Sequence, residues 1–102
     1  MRINKLKGFL EQTPNDAFLM HALALEYVKK GDDSTAKELF ESLLGKNESY
    51  VGSYYHLGLL YERINDEEKA VSIYEKGMQV AKAAGDNHAY SELQAAYENL
   101  VY

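Results

Sequence analysis

Apolar side chains recur along this chain at helical intervals. Met20, Leu23, Ala24 and Tyr27 stand at i, i+3, i+4 and i+7, and so do Tyr54, Leu57, Gly58 and Tyr61. That spacing lines one face of an α-helix. Two further stripes follow at similar spacing: Ala36, Leu39, Phe40 and Leu43, then Ala70, Ile73, Tyr74 and Gly77. Turn signals separate the paired stripes. Gly31-Asp32-Asp33 offers a C-terminal glycine followed by an N-cap, and Asn65-Asp66 repeats the device. Proline occurs once, and no strand-length alternation survives beside the stripes. The pattern predicts an all-α chain of antiparallel helix hairpins.

The hairpins repeat. A shift of 34 residues places Leu23 on Leu57, Leu25 on Leu59, Tyr27 on Tyr61, Asp32 on Asp66, Ala36 on Ala70 and Glu41 on Glu75, with no insertion. Conservative pairs fall in the same register: Met20 with Tyr54, Ala24 with Gly58, Phe40 with Tyr74. Two units result, 17–50 and 51–84.

Tyr54-x-x-Leu57-Gly58-x-x-Tyr61 followed by Ala70-x-x-x-Tyr74 resembles the tetratricopeptide repeat signature, with tyrosine in place of the usual Trp and Phe. Met20-x-x-Leu23-Ala24-x-x-Tyr27 followed by Ala36-x-x-x-Phe40 is a second copy. Small residues at 24, 58, 36 and 70 let paired helices approach, and the aromatics fill the space between turns. The family's proline at the end of the second helix is replaced by Glu48 and by Lys82. The helix that starts near Glu67 is therefore free to run to about Ala84, with Gly85 as its break. Gly77 replaces the family's alanine, which is expected to loosen that helix.

The same register, projected backward, puts Pro14 at the family's proline position and Leu6 and Phe9 at packing positions. Residues 3–14 thus resemble a half-repeat helix. Projected forward, Ser91-Glu92 replaces Leu57-Gly58, while Tyr90, Leu93, Tyr97 and Leu100 keep an apolar stripe. Residues 86–101 read as a capping helix, which repeat arrays need because each unit buries its apolar face only against a neighbour. The resemblance implies an alpha-alpha superhelix of about six helices in a single domain.

It also implies a function. First helices of successive repeats line a concave groove in this family, and ligand peptides lie there. Mapped onto this chain, the groove residues are Phe18, His21, Leu25, Lys29, Tyr55, His56, Leu59 and Arg63, with Ala22, Val28, Gly52 and Glu62 beside them. The final helix is expected to add Tyr90, Leu93 and Tyr97. Leu25, Leu59 and Leu93 fit the groove or, where the last helix folds over it, plain core. His21, Tyr55 and His56 carry polar tips and are the favoured ligand contacts. The Lys and Asn clamp with which some members hold a peptide carboxylate is not evident, since His21, Leu25 and His56 occupy those positions.

Composition narrows the functions available. Hydrophobic residues make up 46% and charged residues 26% of the 102, which argues against disorder. Sixteen acids against eleven Lys and Arg leave a formal charge of −5, which counts against a nucleic-acid partner. The absence of cysteine excludes disulfides, thiolate chemistry and Cys-based zinc sites. No apolar stretch suits a signal peptide or a membrane span, so a cytoplasmic protein with no membrane partner is expected. Asn47-Glu48-Ser49 is spaced like a glycosylation acceptor but stands without a secretory signal. His21, His56 and His88 form no H-E-x-x-H pattern, and no phosphate loop, dinucleotide turn or nucleophile elbow is present. Glu67-Glu68 and Asp32-Asp33 sit at helix starts, where the helix dipole accounts for them. The expectation is a protein or peptide binder without catalytic residues, metal or cofactor. Self-association into a homodimer through the aromatic surface is the alternative.

Overall fold

A computed structural model describes residues 2–102. Among them the chain forms six α-helices and no strand. It divides into two compact units, Met1–Asn47 and Glu48–Tyr102.

The first unit holds α1 (Arg2–Gln12), α2 (Ala17–Lys30) and α3 (Asp33–Lys46). Helix α2 packs against both α1 and α3. Its start is fixed by Asp16, whose carboxylate accepts from the Leu19 N–H at 3.1 Å. Its end is fixed by Gly31, left-handed at φ 88°, where the next residue's N–H reaches back to the Tyr27 carbonyl at 2.9 Å. Only glycine takes that conformation without a Cβ penalty. Asp32 then caps α3, accepting from the N–H of Thr35 at 3.2 Å and from its hydroxyl at 2.8 Å. Two residues therefore turn the chain through a complete hairpin. Ala24 and Ala36, both fully buried, sit among Leu23, Tyr27, Phe40 and Leu43 in the core of this unit.

The second unit holds α4 (Gly52–Arg63), α5 (Glu67–Ala84) and α6 (Asn87–Val101), with α5 packed on both neighbours and a lighter contact from α4 to α6. The hairpin device recurs twice. Asn65 takes the left-handed conformation at φ 63°, and Asp66 caps α5 through the Lys69 N–H. Gly85, at φ 71°, ends α5, and Asp86 caps α6 through the Ala89 N–H at 3.0 Å. With no proline to stop it, α5 runs for 18 residues, as the substitution by Lys82 led us to expect.

Two close approaches define this unit. A methyl group on Gly58 would intrude on the Tyr74 ring, lying 2.5 Å from its Cζ. The ring thus rests on the bare backbone of α4. A methyl group on Gly77 would lie 2.7 Å from the Tyr54 Cβ and 3.0 Å from the Leu93 Cδ1. The glycine expected to loosen α5 is also a point of close approach from both α4 and α6. The intrinsic helix cost of glycine, about 1 kcal/mol, is set against the burial of Tyr54 and Leu93, both 1% exposed. Two buried tyrosines donate their hydroxyls: Tyr54 to the Glu48 carbonyl at 2.6 Å and Tyr74 to the Glu62 carboxylate at 2.5 Å. Among the described residues no buried side-chain nitrogen or oxygen lacks a partner.

Candidate functional site

Between α4 and α6 the second unit leaves an open concavity of about 280 Å³. Tyr55, Leu59 and Glu62 line it from α4, and Glu92, Ala95, Ala96 and Asn99 from α6. The α4 residues follow from helical spacing. Tyr54, Leu57, Gly58 and Tyr61 occupy the buried stripe, so Tyr55, Leu59 and Glu62, at i, i+4 and i+7, form a second, half-buried stripe beside it. Leu93 does the same for α6. It enters the core over Gly77, which turns Ala95, Ala96 and Asn99 away from α5. Small residues on α6 keep the concavity open.

Its chemistry is apolar in the middle and acidic at the edges. Glu62 accepts the Tyr74 hydroxyl. Burial, and then the bond to Glu62, push the Tyr74 hydroxyl far above the ordinary tyrosine value, so it remains the donor. His56 stands beside Tyr55, the two rings edge to face with centroids 5.6 Å apart. Burial holds the His56 ring below its ordinary pKa, and the Glu92 carboxylate acts against that shift. Nothing in this arrangement supplies a nucleophile with a base at hand. Among the described residues no group of three histidines or acids could hold a metal ion, and no helix is long and apolar enough to cross a membrane.

The other residues expected in a groove are distributed as follows. On α2, Phe18 is two-thirds exposed. His21 is half-buried and meets the Phe40 ring edge-on, with centroids 5.7 Å apart, so part of its surface belongs to the core of its own unit. Leu25 is half-buried. Lys29 reaches Glu26 at 3.5 Å, and Arg2 of α1 holds the same carboxylate at 3.2 Å. Arg63, at the end of α4, is exposed. On α6 the three residues expected to add to the groove do not line the concavity. Leu93 is core. Tyr90 stands with Glu75, Met78, Gln79 and Lys82 of α5, and Tyr97 donates to Glu75 at 3.4 Å. The apolar stripe of α6 is spent on α5. The face left to α4 carries Glu92, Ala95, Ala96 and Asn99, whose small or polar side chains gave no signal in the hydrophobic pattern.

Helix pairs closed on small residues, repeated in one register and flanked by further helices, define a helical-repeat protein. Comparison with known proteins makes this specific. The tetratricopeptide repeat model matches residues 51–83. A tetratricopeptide repeat domain protein of Salinibacter ruber is 42% identical, with a TM-score of 0.81 for its crystal structure over 83% of this chain and 94% of that one. Its solution structure gives 0.82 over 86% and 89%. A Bordetella parapertussis protein, at 22% identity, shares the fold with a TM-score of 0.82 over 96% of this chain and 85% of its own. The chain belongs to the tetratricopeptide repeat family. It is also 37% identical over 60 residues, or 59% of its length, to the uncharacterized protein ycf37 of Pyropia yezoensis, and that match spans about a third (34%) of the relative. The family is generally non-enzymatic and its members generally bind protein partners, so the fold suggests a protein-interaction module.

Proposed function

We propose that the chain is an adaptor that holds a segment of a partner protein against the helix faces its own packing leaves free. In the second unit these are the Tyr55, His56, Leu59 and Arg63 face of α4 and the α6 surface that lines the same hollow; in the first unit the Phe18, His21, Leu25 and Lys29 face of α2 is a separate candidate surface. The observation that carries the reading is the concavity between α4 and α6. There Tyr55 and Leu59 stay partly open to solvent although the core beneath them is closed. An aromatic and an aliphatic side chain in an open hollow, rimmed by polar groups, is the composition of a binding surface. A cytoplasmic setting remains part of the proposal.

The test is selection from a displayed peptide library with wild type and with a Tyr55→Ala, Leu59→Ala double variant. Wild type is expected to enrich a consistent set of sequences. The variant, with an unchanged helical circular-dichroism signal, is expected to enrich none of them. Equal enrichment by both removes the α4 face from the reading. A second reading, self-association, is favoured by the exposure of Phe9 (55%) and Phe18 (67%) in the first unit. Light scattering over a concentration series tests it, and a strict monomer at high concentration rules it out.

A further inference from the structure

Charge is distributed unevenly along this chain. Residues 1–47 carry seven acids and seven Lys or Arg, whereas residues 48–102 carry nine acids and four Lys or Arg. The whole formal charge of −5 therefore belongs to the second unit. Helix α6 contains no Lys or Arg at all. The lysines that form ion pairs in this unit do so elsewhere, Lys69 with Asp66 at 3.9 Å and Lys76 with Glu48 at 3.4 Å.

The α4–α6 concavity lies within this acidic unit and has carboxylates on both walls. Glu62 lines it from α4 and Glu92 from α6, and Asn99 belongs to the same lining. Leu59, Ala95, Ala96 and the Tyr55 ring supply the apolar surface between. Glu62 receives one hydrogen bond, from Tyr74. A carboxylate offers about four lone-pair sites, so acceptor capacity remains. The hollow is near the lower end of ligand-pocket volumes, about 300 Å³, and suits one long side chain better than a folded segment.

We propose that this concavity receives a lysine or arginine side chain of the partner segment. This rests on the peptide-binding reading above. The methylene stem lies against Leu59, Ala95 and Ala96, and the cationic head is received by Glu62 and Glu92. Amphipathic side chains of this kind bury an apolar stem while the charged head stays at the polar rim. Glu62 is held in place by Tyr74, so its carboxylate is presented without the loss of rotamer freedom that weakens ordinary surface ion pairs. An acidic or neutral side chain would place nothing against the two carboxylates, or would be repelled by them.

The test uses four synthetic heptapeptide pools with randomised flanks and a fixed central Lys, Arg, Glu or norleucine, titrated by fluorescence anisotropy. The Lys and Arg pools are expected to bind about threefold or more tightly than the norleucine pool, with the Glu pool weakest. Glu92→Gln is expected to cost the Lys pool about threefold, and Glu92→Lys to invert the Lys-over-Glu preference. Glu92 is exposed on α6, so these variants are expected to keep the fold, which the helical circular-dichroism signal checks. Equal binding of all pools, unmoved by Glu92→Lys but lost in Tyr55→Ala/Leu59→Ala, overturns the cation pocket and leaves the groove standing. Binding of no pool overturns both. A dimer in light scattering that Glu92→Lys dissolves gives the pocket to a second copy and likewise overturns the proposal.

Discussion

Gly58→Ala is the sharpest test of how the second unit is held together. Alanine in a helix interior is favoured over glycine by about 1 kcal/mol, so the substitution should stabilise α4 if packing were indifferent. It is not indifferent, because the new methyl group would intrude on the Tyr74 ring. That ring is fully buried, and its hydroxyl is tied to Glu62 at 2.5 Å. Relief requires α4 and α5 to separate or the ring to swing off its acceptor. Overpacking costs about 1–3 kcal/mol, and a hydrogen bond to a charged group contributes about 1.5–3 kcal/mol. Where both losses are incurred, the net loss after the helix gain is about 1.5–5 kcal/mol, each kcal/mol lowering the melting temperature by about 4–8 °C. The assay is thermal and urea unfolding followed by circular dichroism. The Tyr74→Phe background supplies the control. With the tether already gone the ring is freer to yield, and Gly58→Ala should cost at least about 1 kcal/mol less there than in wild type, a coupling that unlinked sites would not show. The equivalent residues of the first unit, Ala24 and Phe40, already combine a methyl group with a ring that carries no hydroxyl. A Gly58→Ala protein as stable as wild type, or more so, would refute the close-approach argument.

Other consequences are as direct. Leu93→Ala should cost about 2–5 kcal/mol and speed amide exchange in α6 more than in α4, because Leu93 is the α6 residue seated over Gly77; equal exchange would place its contribution elsewhere. Asn65→Gly should raise stability by about 0.5–1 kcal/mol, since glycine takes the left-handed turn without the Cβ penalty; unfolding curves at fixed pH measure it. Thr35 holds the Asp32 carboxyl below its ordinary value of 3.8, through its hydroxyl first and its N–H second. A depressed acid contributes stability that is complete above that value and is lost as pH falls through the folded-state pKa. Wild type should therefore lose more stability than Asp32→Ala in the window below about pH 4, and parallel pH curves would contradict this. The His56 ring should titrate below 6.5 in a nuclear magnetic resonance experiment, and lower again in Glu92→Gln, because burial opposes its protonation and Glu92 favours it.

Much of this architecture is legible in the chain. Paired stripes at one interval fix the helices, and Gly31, Asn65 and Gly85, each followed by an aspartate, fix the turns. Those signals are local, and local rules are enough to read them. The roles of Gly77 and of the α6 faces are not local. Propensity marks Gly77 as a weakness, and only the crossing of Tyr54 and Leu93 over it shows what the missing Cβ allows. On α6 the large residues Tyr90, Leu93 and Tyr97 drew attention because size is what a hydrophobic pattern registers. The concavity is shaped instead by Ala95 and Ala96, whose contribution is the space they leave. Glu62 stood among the groove neighbours in the sequence. Its tether to Tyr74 joins residues twelve apart across a hairpin, and only the fold brings them together.

The central claim is that a partner segment lies in the hollow between α4 and α6 of the second unit. A backbone amide titration by nuclear magnetic resonance, using one lysine-centred peptide resolved from the binding pool, addresses it most directly. The account predicts that shifts concentrate at Tyr55, Leu59, Glu62, Glu92, Ala95, Ala96 and Asn99 and weaken in Glu92→Gln. Shifts confined to α5, or to the far face of α6 around Tyr90 and Tyr97, would contradict it.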